Sequence, residues 1–373
     1  MKHLVLLGAG HAHAQVLLDL AREPMPAARV TLVSPFAHLV YSGMVPGVVA
    51  GHYAAADAAI EIAPLAARAG AAFVQQAAVQ FDATARSVTL GDGRVLGFDT
   101  LSIDTGAVMD RDSIPGARDH ALFVRPIEHF MQLLQPLFEL AARRTLSLVV
   151  VGAGAGGVEL AMALQHRLGE RARLSLVTGG TPPLPSYPAA VQAHALRALK
   201  RLGVTVFEDS CAAIEAGHVL LGGGARLACD ALVLAIGASA PKWLAGSGLA
   251  LDAQGFIATG ATLQSASHAH VFAAGDVASR SDAPRPRSGV YAVRAGPPLA
   301  LNLRRFMAGG ELAKYVPQRR ALNLLSCGER RAIASWGNRS VEGRWVWWWK
   351  DRIDRGFVRR FAAEGMAGSA LRG

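Results

Sequence analysis

The sequence predicts an α/β fold of two Rossmann-like, three-layer domains, one nested inside the other, followed by a small C-terminal α+β unit. Three observations carry that prediction. An apolar strand that runs into a Gly-x-Gly turn and then a helical pattern occurs twice, at residues 4–7 before Gly8 and Gly10, and at residues 148–151 before Gly152 and Gly154. In each copy 26 residues separate the first glycine from the residue that ends the next apolar strand, Ser34 in one and Thr178 in the other. Two glycine-cornered hairpins, residues 87–99 and 218–230, align without a gap, and each feeds a strand that stops at a glycine, Gly106 or Gly237. Strands alternating with helices in this way imply parallel, doubly wound sheets with a ligand crevice at the strand C-termini.

Taken in order, residues 1–113 supply the first strand, turn, helix and hairpin. The second copy, residues 114–259, interrupts them, with Pro115-Gly116 and Thr259-Gly260 as the joints. The chain then returns through the apolar run 271–274 to Gly275-Asp276, the expected last strand of the first domain, which extends over 260–314. The remainder, 315–373, is expected to hold short strands such as 331–336 and a basic terminal helix.

Composition bounds the function. With 51% hydrophobic and 18% charged residues over 373 positions the chain is globular, not disordered. Its net charge of +10 favours association with anions but says nothing of chemistry. Cys211, Cys229 and Cys327 lie far apart and form neither a CxxC pair nor a zinc-like set, which points away from a disulfide framework and toward a reducing cytoplasmic compartment. The apolar stretches 4–20 and 146–165 each contain a glycine turn, so both read as domain interiors and not as targeting or membrane-spanning segments.

A dinucleotide pyrophosphate needs backbone N–H groups and a helix N-terminus brought close, which glycine permits. The second copy has the full pattern Gly152-x-Gly154-x-x-Gly157 between a strand and a helix. The first is incomplete, because His13 stands where the third glycine would be. Ser34 and Thr178 occupy the positions where an acidic residue would hold the adenosine ribose; no arginine stands immediately after Thr178, which leans the choice toward NAD over NADP without closing it. His11, His13, His38 and His52 read as positioning or cofactor-contact residues, with no metal site assigned.

Two nested nucleotide domains, the strand-ending glycines and the late Phe272-Ala-Ala-Gly-Asp276 resemble the pyridine nucleotide-disulfide oxidoreductase superfamily, and within it the type II NADH dehydrogenases. The stretches 10–13, 41–47, 289–298 and 343–354 are similar to the flavoprotein domain found fused to selenide, water dikinase. The resemblance implies FAD in the first domain and NAD(P)H in the second. It places Gly8, Gly10, His11, His13, Ser34, Pro35, Ser42, Val79, Thr105, Gly106, Gly275 and Asp276 against FAD. Gly152, Gly154, Gly157, Thr178 and Gly237 fall against the nicotinamide nucleotide. Glu159, one turn into the second helix, would face the nicotinamide or complement the helix dipole. Tyr291 and Arg294 fall in the segment that borders the quinone in type II NADH dehydrogenases, although Val290 and Ala295 stand at the likely glutamine positions of that segment.

The implied activity is an FAD-dependent NAD(P)H dehydrogenase that reduces a small non-disulfide acceptor such as a quinone, because the missing CxxC removes the dithiol relay. A reductase of selenium or sulfur metabolism and a non-enzymatic flavin redox sensor are the alternatives. Trp345, Trp349, Ile353, Phe357 and Phe361 recur every four residues beside Lys350, Arg352, Arg355, Arg359 and Arg360. A helix of that kind over 345–361 can lie peripherally on the cytoplasmic membrane face, pack on its own domain, or meet a second subunit in a homodimer. Aromatic spacing of this type reads against nucleic-acid binding.

Overall fold

The computed structural model of the chain describes residues 1–362, so the last residues of the expected C-terminal unit, 363–373, lie outside the described residues. Two five-stranded parallel sheets form the frame. The first runs in the order Val271–Ala273, Thr100–Ile103, Lys2–Leu7, Ala28–Val33, Ala72–Val74. The second runs Ala121–Phe123, Ala231–Leu234, Leu146–Val151, Ala172–Val177, Thr205–Phe207. Both central strands are continuous apolar runs because a parallel strand is covered on both faces: Leu4, Val5 and Leu6 are fully buried, as are Leu146 and Val150.

The repeat extends into irregularities. Each expected hairpin gains a third antiparallel strand, Ala78–Asp82 in the first domain and Cys211–Glu215 in the second. Each of these carries a register shift at the same place, between Ala78 and Gln80 and between Cys211 and Ala213.

The seam between the domains differs from the expected joints. Val108 and Ser239 pair as an isolated antiparallel bridge, their amides donating to each other's carbonyls at 2.9 and 2.8 Å, so the two crossing segments lie side by side there. The chain already rejoins the first domain before Thr259. Leu244, Leu249 and Ile257 pack in the core of the first sheet with Val5, Leu7 and Leu101, and Ile257–Ala258 pairs with Ala278–Ser279. Burial, and not the Thr259-Gly260 turn, sets the boundary.

The C-terminal unit is an antiparallel sheet, Leu322–Ser326, Ala332–Trp336 and Arg339–Gly343, followed by the helix Arg344–Arg359. One apolar core joins residues of its strands and terminal helix (Ile333, Trp347) to Met44 and Val49 of the first domain and Met162 and Leu199 of the second. The terminal helix corrects the expected stripe. Successive steps of four residues drift by about 40° around a helix of 3.6 residues per turn, so a four-residue repeat winds from one face to the other. Trp345, Trp349 and Ile353 are exposed, whereas Phe357 and Phe361 are buried. Lys350, expected beside the stripe as a surface cation, points inward at 6% exposure. No described helix is long and apolar enough to cross a membrane.

Candidate functional site

A cavity of about 480 Å³ opens at the C-terminal edge of the first sheet. The turn that forms its floor is built from close backbone approaches. Gly8 adopts φ +91°, a left-handed conformation, and a Cβ there would lie 2.5 Å from the Asp104 carbonyl oxygen. A Cβ on Gly10 would lie 2.5 Å from Asp104 Oδ1. The helix His11–Arg22 starts immediately after, and its Ala12 and His13 amides donate to Asp104 Oδ2 at 2.8 and 2.9 Å. Burial pushes the Asp104 carboxyl up to about 6, against the pull of those two N–H groups and of His11.

Of the residues expected at FAD, Gly8, Gly10, His11, Ser34 and Pro35 line this cavity, as do Ser42, Thr105, Gly106 and Asp276. His13 does not: it is fully buried beneath the turn. Its Nδ1–H donates to the Gly8 carbonyl and its Nε2 accepts from Ser102 Oγ at 2.8 Å. Burial lowers its pKa to about 4, so the ring is neutral and structural. Val79 does not line it either; its side chain is half exposed on the added strand while its neighbours Ala77 and Ala78 line the cavity. Gly275 lines a second, adjoining cavity, as does Tyr291, and Arg294 is exposed and lines neither.

The cavity fits a flavin dinucleotide on its own chemistry. Its floor consists of glycines whose missing side chains leave backbone exposed to a ligand, and the buried Nε2 of His11 has no hydrogen-bond partner among the described residues. Three of the wall residues that the sequence missed stand out for their chemistry. Arg125, from the second domain, donates to Asp276 Oδ2 at 2.8 Å across the seam. Trp243 and Glu128 also line the cavity, the latter with its pKa raised by burial. None of the three belongs to a local motif, so only tertiary proximity identifies them.

The second turn is built differently. Gly152 adopts φ +146° against Ala235, whose carbonyl carbon would lie 2.8 Å from a Cβ, and a side chain on Gly157 would collide with the Gly152 carbonyl oxygen. Gly154 and Gly237 are exposed with open space above them. Thr178 is buried and its hydroxyl donates to the carbonyls of Thr181 and Phe207, so it is already spent within the protein.

Glu159, seven residues after Gly152, accepts the Ser326 amide at 2.7 Å on Oε1. Burial raises its carboxyl to about 7, opposed by the charge of Lys350 and by that N–H. Lys350 Nζ in turn donates to the Gly43 carbonyl and to Asp354 Oδ2, each at 2.6 Å. Lys350 therefore ties the loop beside Ser42 to the C-terminal helix, and its charge is felt at Glu159 on the helix of the second turn. The three cysteines line neither cavity, and burial raises Cys211 to about 11 and Cys229 to about 12.

The sequence profile described as pyridine nucleotide-disulphide oxidoreductase matches residues 2–296. The demethylphylloquinone reductase NdbB of Synechocystis sp. is 31% identical over 237 residues, 60% of this chain and 59% of that protein, so the match spans less than two thirds of that relative. The NADH dehydrogenase-like protein YutJ of Bacillus subtilis is 24% identical over 92% of this chain and 95% of its own length. Among solved structures, the sulfide:quinone oxidoreductase of Aquifex aeolicus superposes with a TM-score of 0.81 at 19% identity, covering 97% of this chain and 91% of that one. NDH2 from Plasmodium falciparum in complex with NADH gives a TM-score of 0.81 at 13% identity over 96% and 97% of the two chains. These two likenesses concern the fold.

Proposed function

The chain belongs to the pyridine nucleotide-disulphide oxidoreductase family, and we propose that it is an FAD-dependent NAD(P)H dehydrogenase delivering its electrons to a quinone. The observation that carries this reading is the wall of the first cavity: an ion pair, Arg125–Asp276, crosses it from the other nucleotide domain, and no cysteine faces it. Bound FAD supplies a carrier that takes a hydride from a nicotinamide and hands the electrons on. The chain supplies position and charge. Gly8 and Gly10 admit the pyrophosphate to backbone distance at a helix N-terminus. Asp276 is fixed by Arg125 for contact with the ribityl region. Gly152, Gly154, Gly157, Thr178 and Gly237 form the nicotinamide nucleotide's turn and crevice. Glu159, with Oε1 held by the Ser326 amide, keeps Oε2 as the oxygen that carries a proton near neutral pH.

The relative named a demethylphylloquinone reductase supports a quinone as acceptor. Exposed Trp345, Trp348, Trp349 and Ile353 beside exposed Arg344 and Arg352 support contact with an anionic membrane face. Two measurements test the reading. Under anaerobic conditions NADH or NADPH is expected to bleach the flavin absorbance, with menadione restoring it rapidly and an aromatic disulfide failing to do so. Absence of bleaching with both nucleotides, or faster reoxidation by the disulfide, overturns the assignment. Vesicles containing anionic lipid are expected to retain the protein, and a Trp345→Ser/Trp349→Ser variant to be released from them; equal retention of the two removes the membrane contact.

A further inference from the structure

We propose that the second cavity, which shares the lining residues Asp276 and Ala292 with the first, is a binding site for a small organic carboxylate. The cavity measures about 430 Å³, within the usual range for organic ligands. It lies between the segment 279–288 and the helix Gly289–Met307. Leu263, Ala278, Ala295 and Pro284 give it an apolar lining suited to a hydrocarbon or ring, and three guanidinium groups, Arg280, Arg285 and Arg287, stand in its wall against two carboxylates, Asp252 and Asp276.

The charge inventory is unbalanced. Arg280 is neutralised by a two-point pairing with Asp282 at 3.1 and 2.6 Å. Asp276 is taken by Arg125. Asp252 spends Oδ1 on the amides of Gln254 and Phe256 and stands 3.6 Å from Arg287. Arg285 meets no carboxylate; its three nitrogens donate only to the carbonyls of Pro284, Pro317 and Gln318. One guanidinium charge is therefore left without a counter-charge at the cavity wall.

Unspent hydrogen bonds point the same way. Among the described residues, buried side-chain polar atoms without a partner include Arg287 Nε, Tyr315 Oη and Gln318 Nε2. Arg287 and Tyr315 line this cavity, and Gln318 follows the lining residue Pro317. Arg287 is held in place by stacking 3.4 Å over the Phe256 ring. All three atoms can donate, and buried donors left unpaired are costly. An acceptor-only, negatively charged group resolves both the orphaned donors and the excess charge, and a carboxylate is the compact organic group with four acceptor positions. The inference is independent of which acceptor the flavin reduces.

Calorimetry on the flavin-loaded protein tests it with 2-naphthoate and its neutral isostere 2-naphthamide. The carboxylate is expected to bind at least about tenfold more tightly than the amide, the difference of one charge-assisted contact. Arg285→Gln is expected to erase that preference. Because Arg285 also braces three carbonyls, a second variant guards against a folding defect: Ala283→Leu fills the cavity from the loop and is expected to weaken both probes. Equal affinities for the two probes, a preference retained in Arg285→Gln, 2-naphthoate binding unchanged in Ala283→Leu, or no binding at all overturns the proposal. Failure of NADH to bleach the flavin would instead strike the dehydrogenase reading and leave this one standing.

Discussion

The two glycine turns occupy equivalent places in equivalent sheets, yet one is sealed by polar side chains and the other is left bare. In the first, the position of the third glycine is His13, whose ring bridges Gly8 and Ser102, and the residue after the neighbouring strand is Asp104, which receives the helix amides. In the second, the corresponding residues are Gly157, Val233 and Ala235, and the helix packs directly on the turn. The difference shows that the spacing of the motif specifies a backbone path, while what holds that path is free to vary. An incomplete pattern is compensated by a buried hydrogen-bonded network, at the cost of two titratable groups in the core.

The largest expected effect comes from giving the second turn a side chain. Gly157→Val drives a branched Cβ into the Gly152 carbonyl, so the helix must move away from the turn. NADH-dependent flavin bleaching is expected to be lost while FAD stays bound, since a shift of about 1 Å at a positioning element already costs about a hundredfold. Anaerobic absorbance titration reads both; a variant that bleaches normally would mean that helix packing is not what places the nicotinamide. His13→Gly makes the reciprocal change. It removes a fully buried ring and leaves Ser102 and Gly8 without partners, with an expected loss of about 4 kcal/mol in chemical denaturation. A loss under about 1 kcal/mol would show that the first turn does not need its network.

The parts that were legible in the sequence are those fixed by backbone. Gly8 and Gly152 announce positive φ, the strand-ending residues Ser34 and Thr178 keep a common spacing, and the hairpins keep their glycine corners. The added strands Ala78–Asp82 and Cys211–Glu215 were not legible, because small residues such as Ala78, Ala212 and Ala213 blunt the two-residue alternation that marks a strand. Asp104 looks like an ordinary loop acid until the fold brings it under helix residues 91 and 92 positions away in sequence. Arg125 reaches the site from the other nucleotide domain and Trp243 from far along the chain, for the same reason. The terminal helix misled through its own periodicity: a spacing of four shares a face only over a turn or two, so Phe357 and Phe361 ended in the core while Trp345 did not.

Asp104→Ala copies the residue of the second turn, Ala235, into the first, and its effect depends on pH. With its native pKa near 6, above the ordinary 3.8, Asp104 binds more protons folded than unfolded between those values. Its contribution to stability is therefore fully present below about pH 4 and falls as pH rises toward 6, by up to about 3 kcal/mol. The variant loses the bonds to Ala12 and His13, worth about 1 kcal/mol, but escapes that decline. It is expected to be less stable than the parent at pH 4.5 and to close the gap or overtake it at pH 7.5, as read by urea midpoints. An unchanged difference at the two pH values would mean that the carboxyl is not held protonated.

Ser102→Val is the mildest of these changes and the sharpest probe of the network, because it installs the residue found at the same place in the second sheet. Valine adds a second methyl-sized group at a fully buried position, so a modest overpacking cost joins the loss of the hydroxyl that donates to His13 Nε2 at 2.8 Å. One neutral hydrogen bond with a buried acceptor left behind amounts to about 1 to 2 kcal/mol. If the hydroxyl acts only through His13, that cost vanishes once the ring is gone: Ser102→Val in the His13→Gly background should be neutral or stabilising, since a lone buried hydroxyl is then replaced by an apolar group. The double-mutant cycle reads the coupling directly, and an expected value of about 1 kcal/mol stands well clear of the scatter for independent sites. Additive costs would mean that Ser102 supports the strand by itself, and that the two turns differ in side chains without differing in how they are held.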